Sequence, residues 1–209
     1  MSIPKYLYRY KSLDGESFLY TLDIILNNRL YTPKAQELND PCEGFFLDVE
    51  EEFPVFMEAE KERVSRILSF SETYDNSSLC ALYASGFKGI CLEFDAKKMQ
   101  NEVDYEGGLQ QVIYQDTIPK ISFSGSEYKD KYLYKSKDWI HEREWRLITS
   151  ENNDYLSFKD NFLITVFLGP RIDENFEKII INLLKEKKNI PKIKKMGFSS
   201  KSYKMIIKD

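Results

Sequence analysis

Residues 135–149, KSKDWIHEREWRLIT, carry both tryptophans of the chain, its one histidine and a tight group of ionisable side chains that leads into an apolar run. On a strand, successive side chains alternate faces. Glu142, Glu144 and Arg146 then point one way, and Arg143, Trp145 and Leu147 the other. Two carboxylates and an arginine beside indole rings are costly to bury unless they are solvated, paired or used. Used, such carboxylates stabilise a developing positive charge or move a proton. Unused, the stretch is an edge strand with a ladder of surface ion pairs.

A single histidine removes whole reaction classes. Histidine-rich zinc sites are excluded, and Cys42, Cys80 and Cys91, with no C-x-x-C pair, are a poor substitute. A Ser-His-Asp or Cys-His enzyme would have to use His141, which lies between Ile140 and Glu142 with no nucleophile-elbow pattern nearby. No phosphate-cradling GxxxxGK[ST] or GxGxxG stretch occurs.

The chain of 209 residues, 42% hydrophobic and 14% aromatic, is long and apolar enough for a globular domain with its own core. No apolar run approaches the roughly 20 residues of a membrane span. The first residues, MSIPKYLYRYK, lack the pattern of a signal peptide. Three cysteines unpaired by spacing fit a reducing compartment, so a cytoplasmic protein without membrane contact is expected. The net charge of −4 is uneven. Residues 185–209 hold nine lysines against two acids, net +7, which leaves −11 for residues 1–184. A basic tail on an acidic body attracts polyanions; equally, lysines flanking an edge hairpin resist aggregation.

The elements that must position the ionisable group follow from periodicity. Residues 6–10 alternate as a strand. Asp14 caps a helix whose stripe is Phe18, Leu19, Leu22, Ile25 and Leu26, and residues 29–32 form a short strand. Asn39-Asp40-Pro41 is a turn. An amphipathic helix is expected from Glu50, with Pro54 in its first turn. Residues 67–71 read as a strand, and 77–84 as a short helix with Leu79, Leu82 and Tyr83 on one face. Strands follow at 88–94 and 110–114, with helical turns over 95–103 between them. A short helix is expected over 131–136, and an apolar strand over 162–168. A helix carrying Phe176, Ile179, Ile180, Leu183 and Leu184 precedes a hairpin of 192–198 and 203–208. The pattern predicts an α+β fold: one domain, 1–209, built on a mixed β-sheet with flanking helices, the lysine-rich hairpin 191–209 included.

Taken in order, several of these stretches form a recognisable set. They are Tyr8-Arg9-Tyr10, Arg29-Leu30-Tyr31, the Asn39-Asp40-Pro41-Cys42-Glu43 turn, Ser69-Phe70-Ser71, Leu82-Tyr83-Ala84 ahead of residues 88–94, Val112-Ile113-Tyr114, and Trp139-x-x-Glu142-x-Glu144-Trp145-Arg146. The set resembles a widespread, poorly characterised bacterial domain family with NDPxE and WxxExEWR motifs, often linked to toxins and phage defence. Its layout is similar to the split sheet of ADP-ribosyltransferases. The resemblance implies NAD+ as substrate, with Arg9 and Tyr8 on the first strand, Ser69 and Ser71 on the middle strand, and Tyr83 forming its pocket. It implies Glu144 as the catalytic carboxylate, Glu142 as the acceptor-side group, and Asn39, Asp40, Trp139 and Arg146 as substrate-binding residues. It also implies a nucleic-acid or protein acceptor and a cognate antitoxin. The chain departs from the family at Cys80 and Leu82, where Trp and His are usual.

Two rivals stay open. One is a non-catalytic interaction module of the same fold, in which Arg146 merely neutralises the glutamates, Arg9 pairs with a surface acid, and Tyr83 and the tryptophans are core. The other is a nuclease using Asp40, Glu43 and Glu142 around Mg2+, an ion that hard carboxylate oxygens suit; no spacing specifies it, and the transferase reading invokes no metal.

Overall fold

Alternation at the N-terminus and near-continuous apolar runs later in the chain require a sheet that is buried on both faces at its centre. The computed structural model describes residues 2–49, 54–55, 65–102, 108–122, 126–149 and 154–208. In chain order its elements begin with β1 (Tyr6–Lys11), α1 (Gly15–Asn27), β2 (Arg29–Tyr31), β3 (Phe46–Asp48), β4 (Pro54–Val55) and β5 (Arg66–Ser71). Next come α2 (Ser77–Tyr83), β6 (Ile90–Asp95), α3 (Ala96–Glu102), β7 (Gln110–Gln111), β8 (Ile113–Gln115), β9 (Lys120–Ile121) and β10 (Tyr134–Ser136). The chain ends with β11 (Glu144–Thr149), β12 (Tyr155–Ser157), β13 (Leu163–Leu168), α4 (Glu174–Lys185), β14 (Lys192–Phe198) and β15 (Met205–Ile207).

The fold is α+β, with a mixed eight-stranded sheet in the order β15-β14-β13-β6-β1-β5-β11-β7. Residue contacts divide the chain into two compact units: Met1–Leu30, Phe70–Val103 and Ser157–Asp209 in one, Tyr31–Ser69 and Asp104–Leu156 in the other. In the first unit β1 pairs antiparallel with β6, Tyr8 opposite Glu93. β13 pairs antiparallel with β6 and parallel with β14. The first five residues of β6 are all buried, Glu93 among the apolar ones. One face carries Tyr8, Tyr10, Cys91 and Phe167, with Leu79 and Cys80 of α2 against it. α1 and α4 meet through the Phe18 and Phe176 rings, 5.2 Å apart and edge-on.

In the second unit β11 pairs with β7, Trp145 opposite Gln111. β8 and β10 run parallel, Lys135 opposite Tyr114. β3 pairs with β4 and β9.

Several expectations are corrected. The buried face of α1 is Thr21, Ile24 and Ile25; Leu19 and Leu26 are exposed. The hydroxyl of Thr21 is satisfied by the Ser12 and Ser17 carbonyls, which lets a polar residue replace an apolar one in the stripe. Pro54 and Val55 lie on a strand rather than at a helix start, and the rest of that expected helix falls outside the described residues. On α2 the buried pair is Leu79 and Cys80, and Leu82 is 56% exposed. The helix expected over 131–136 is a 3-10 helix, Ser126–Leu133, followed by β10. The strand expected to carry Glu142 begins only at Glu144, because Lys137–Glu142 is a 3-10 helix closed by Arg143 in the left-handed region at φ 47°.

Candidate functional site

The ionisable group of residues 135–149 forms a buried network within the second unit, and four separate elements deliver it. β11 begins with Glu144 and places Arg146 two residues on, so both project from one face. The left-handed turn at Arg143 swings Glu142, the last residue of its 3-10 helix, in beside them. β10 brings Lys135, and the Asn39–Glu43 turn brings Glu43.

Arg146 sits at the centre, 1% exposed. Its Nε donates to Glu144 Oε1 at 2.8 Å, and its Nη2 to Glu144 Oε2 at 3.0 Å and Glu43 Oε1 at 2.5 Å. Its Nη1 donates to Glu43 Oε2 at 2.7 Å and to the Tyr132 carbonyl at 2.5 Å. All five guanidinium donors are therefore engaged, with both carboxylates in the fork geometry that suits arginine. Lys135 Nζ donates to Glu142 Oε2 at 2.5 Å and Glu144 Oε2 at 3.0 Å, and stands 3.7 Å from Glu43 Oε1. It also lies 5.0 Å from the Trp139 ring centroid, a cation–π contact. The Glu144 backbone N–H donates to the Tyr114 hydroxyl at 2.8 Å. Three glutamates, one arginine and one lysine, all buried, make up the network.

Burial alone would raise the Glu144 carboxyl. The charges of Arg146 and Lys135, and hydrogen bonds from Arg146 and Ser69, outweigh it and hold Glu144 well below the usual carboxylate range. Burial likewise works against the Lys135 and Arg146 cations, and the surrounding glutamates more than restore them. Burial raises the Tyr114 hydroxyl, which therefore stays protonated.

The turn that supplies Glu43 is built from its own residues. Asp40 Oδ1 accepts the Cys42 N–H at 2.9 Å, the local bond that makes Asp a turn former. Gly44 follows at φ +74°, and a Cβ there would come within 2.6 Å of the Tyr132 ring. Tyr132 is the residue whose carbonyl accepts from Arg146, so the glycine secures both the turn and the packing that aims that carbonyl.

Of the residues singled out from sequence, Glu142, Glu144, Arg146 and Trp139 come together here, with Ser69 bonded to Glu144. Asp40 is buried in the adjoining turn, and Asn39 is exposed. The others belong to the first unit. There Tyr8 donates to Glu93, Ser71 is buried and accepts the Thr73 N–H, Tyr83 packs half-buried on the aromatic cluster, and Arg9 lies 6.0 Å from the Phe70 ring. The carboxylates proposed for Mg2+ are arranged differently: Glu43 and Glu142 meet around the Lys135 ammonium, and Asp40 serves its turn. Among the described residues no group of three His, Cys, Asp or Glu is placed to hold a metal ion.

Lys135 and Tyr114 were missed as members. A lysine seven residues ahead of Glu142 carries no local signal, and the β8–β10 pairing that brings both residues to the network is a non-local contact.

Residues 81–147 match the model of a protein family of unknown function, DUF2971. No curated protein and no solved structure matches the chain. Among the described residues no helix is long and apolar enough to cross a membrane.

Proposed function

We propose that the chain is an NAD+-consuming transferase of the ADP-ribosyltransferase type, acting on a nucleic-acid or protein acceptor, with Glu144 as its central carboxylate. The observation that carries this reading is a buried carboxylate, Glu144, kept ionised between Arg146 and Lys135. When the bond from ribose C1′ to nicotinamide breaks, the electron pair leaves with nicotinamide and positive charge spreads over the ribose. A fixed carboxylate in a low-dielectric site stabilises that charge without reorganising. Glu142 is the group that orients the acceptor, whose nucleophile forms the new bond to C1′. The toxin or phage-defence setting, and a cognate antitoxin, follow only from the family resemblance.

The test is nicotinamide release from NAD+ in the presence of cellular RNA, DNA and protein. Glu144→Gln is expected to lower turnover by about 100-fold or more, as loss of a preorganised electrostatic group does. Release that is unchanged in that variant would sink the assignment.

One observation favours a non-catalytic interaction module instead. Every donor of Arg146 is satisfied internally, and Glu144 is 4% exposed, so the network is complete without a ligand. Leu82, at the family's usual histidine position, offers no titratable group. This second reading predicts no nicotinamide release by either protein, and a change in the variant confined to stability.

A further inference from the structure

Positive charge in the first unit is concentrated in its last stretch. Residues 187–208 hold eight lysines and no acidic residue. Lys187 is ion-paired with Asp160, and Lys195 with Glu177. Among the described residues Lys192, Lys194, Lys201 and Lys204 form no ion pair. By alternation along β14, Lys192 and Lys194 project from the same face as Phe198.

Aromatic rings meet these cations at the turn of the hairpin. Phe198 is 50% exposed and lies edge-on to Phe87, the ring centroids 5.6 Å apart and the planes at 67°. The guanidinium of Arg171, an exposed residue, stands 5.3 Å from the Phe87 centroid and 5.6 Å from that of Phe198. Among the described residues its side chain makes no hydrogen bond or ion pair, whereas Arg146 engages every donor. Phe87 holds its place at φ 75°, a costly conformation for a bulky residue, and its carbonyl accepts the Arg171 N–H at 3.0 Å. The turn beyond Phe198 is fixed by its own residues. The Ser199 N–H donates to the Lys204 carbonyl at 3.0 Å, and Ser199 Oγ accepts the N–H groups of Lys201 and Ser202 at 3.1 and 3.2 Å. Tyr203, next to Lys204, is fully exposed.

We propose that the β14–β15 hairpin and Arg171 form a binding surface for single-stranded nucleic acid, the cations on phosphates and Tyr203 stacked on a base. Cations without partners in the chain release condensed counterions from a polyanion, which makes binding favourable and salt-dependent. A ring open to solvent stacks on any unpaired base, whereas in a duplex the base faces are covered by their neighbours. Arg171, steadied by ring contact alone, keeps its fork of donors for phosphate. Phe198 is held by Phe87 and Arg171 rather than free to insert into lipid, so a strand with bases fits this surface better than an anionic membrane. The surface uses no residue of the Glu144 network and its test needs no NAD+, so it stands or falls apart from the transferase reading.

The full chain is titrated by fluorescence anisotropy against labelled single strands of mixed-sequence RNA and DNA at about 50 mM and about 200 mM salt. Unlabelled duplex, polyglutamate and phosphatidylserine vesicles serve as competitors. Saturable binding of single strands is expected, tighter than any competitor. It should weaken by about 100-fold between the two salt concentrations, as roughly five phosphate contacts require. Tyr203→Ala is expected to weaken single-strand binding by about tenfold and leave the salt dependence unchanged. Lys201→Gln combined with Lys204→Gln should reduce the loss between the two salt concentrations to about 20-fold. Both variants should keep the wild-type melting transition, because the three side chains are exposed. The tighter of RNA and DNA identifies the strand. Absence of saturable binding at the lower salt, a competitor bound as tightly as the single strand, or either variant indistinguishable from wild type in affinity and salt dependence would overturn the surface.

Discussion

The two units bury carboxylates in opposite ways. In the second, Glu43, Glu142 and Glu144 are held by two cations, with Arg146 spending all five donors. In the first, Glu93 is held by two hydroxyls and backed by aromatic rings. An ion-paired carboxylate depends on its partner, so removing one member strands the rest. A carboxyl group held by hydroxyls loses one hydrogen bond when a donor is removed. The same residue type therefore sits in an ion-paired network in one place and among hydroxyls and aromatic rings in the other.

That contrast orders the expected effects of substitution. The largest belongs to Arg146→Met, which leaves Glu43 and Glu144 without the guanidinium that bridges them and with Lys135 alone beside them. Loss of one partner from a buried pair costs about 3–5 kcal/mol, to be read from urea unfolding. A loss under about 1 kcal/mol would show the network to be more solvated than its geometry indicates.

Next is the glycine of the turn. Gly44→Ala combines a positive φ with a clash against Tyr132, and is expected to destabilise by about 1–3 kcal/mol.

pH separates the two regions more finely. Glu144 has a folded pKa depressed below its unfolded value, so its contribution to stability is complete above the unfolded value of about 4.3. It is lost as pH falls from there through the folded pKa. Wild type should therefore lose stability relative to Glu144→Gln on acidification below about pH 4.3, and the gap between the two should be constant above about pH 6. A gap that does not narrow in acid would break the assignment of Glu144 as the ion-paired member.

In the first unit Thr165→Val removes one hydroxyl donor from Glu93 and is expected to cost about 1–3 kcal/mol by the same unfolding measurement, less than Arg146→Met. The smallest effect distinguishes the cysteines. Cys42 is exposed, whereas Cys80 and Cys91 are buried, and burial raises both of their thiols. A thiol reagent should modify Cys42 first and the other two only on unfolding.

Local chemistry made much of this legible in advance. Alternation marked β1 and β6, a near-continuous apolar run marked β13, and the helical spacing of Phe176, Ile179, Ile180, Leu183 and Leu184 marked α4. The Asn-Asp-Pro turn and the convergence of Glu142, Glu144 and Arg146 were also readable, the latter even though the backbone reaches it through a left-handed residue rather than a continuous strand. Period-based faces failed where a polar residue could satisfy itself, as Thr21 does on α1.

Residue types and spacing thus determined that this chain is α+β and that its carboxylates beside Arg146 need an explanation, because secondary structure and charge cost are properties of short segments. Only the tertiary structure decided that Lys135 and Glu43 complete that network, and that the Tyr8 and Thr165 hydroxyls meet at Glu93. Those contacts join residues far apart in the chain through strand pairing and packing, and no local pattern encodes which distant side chain will arrive.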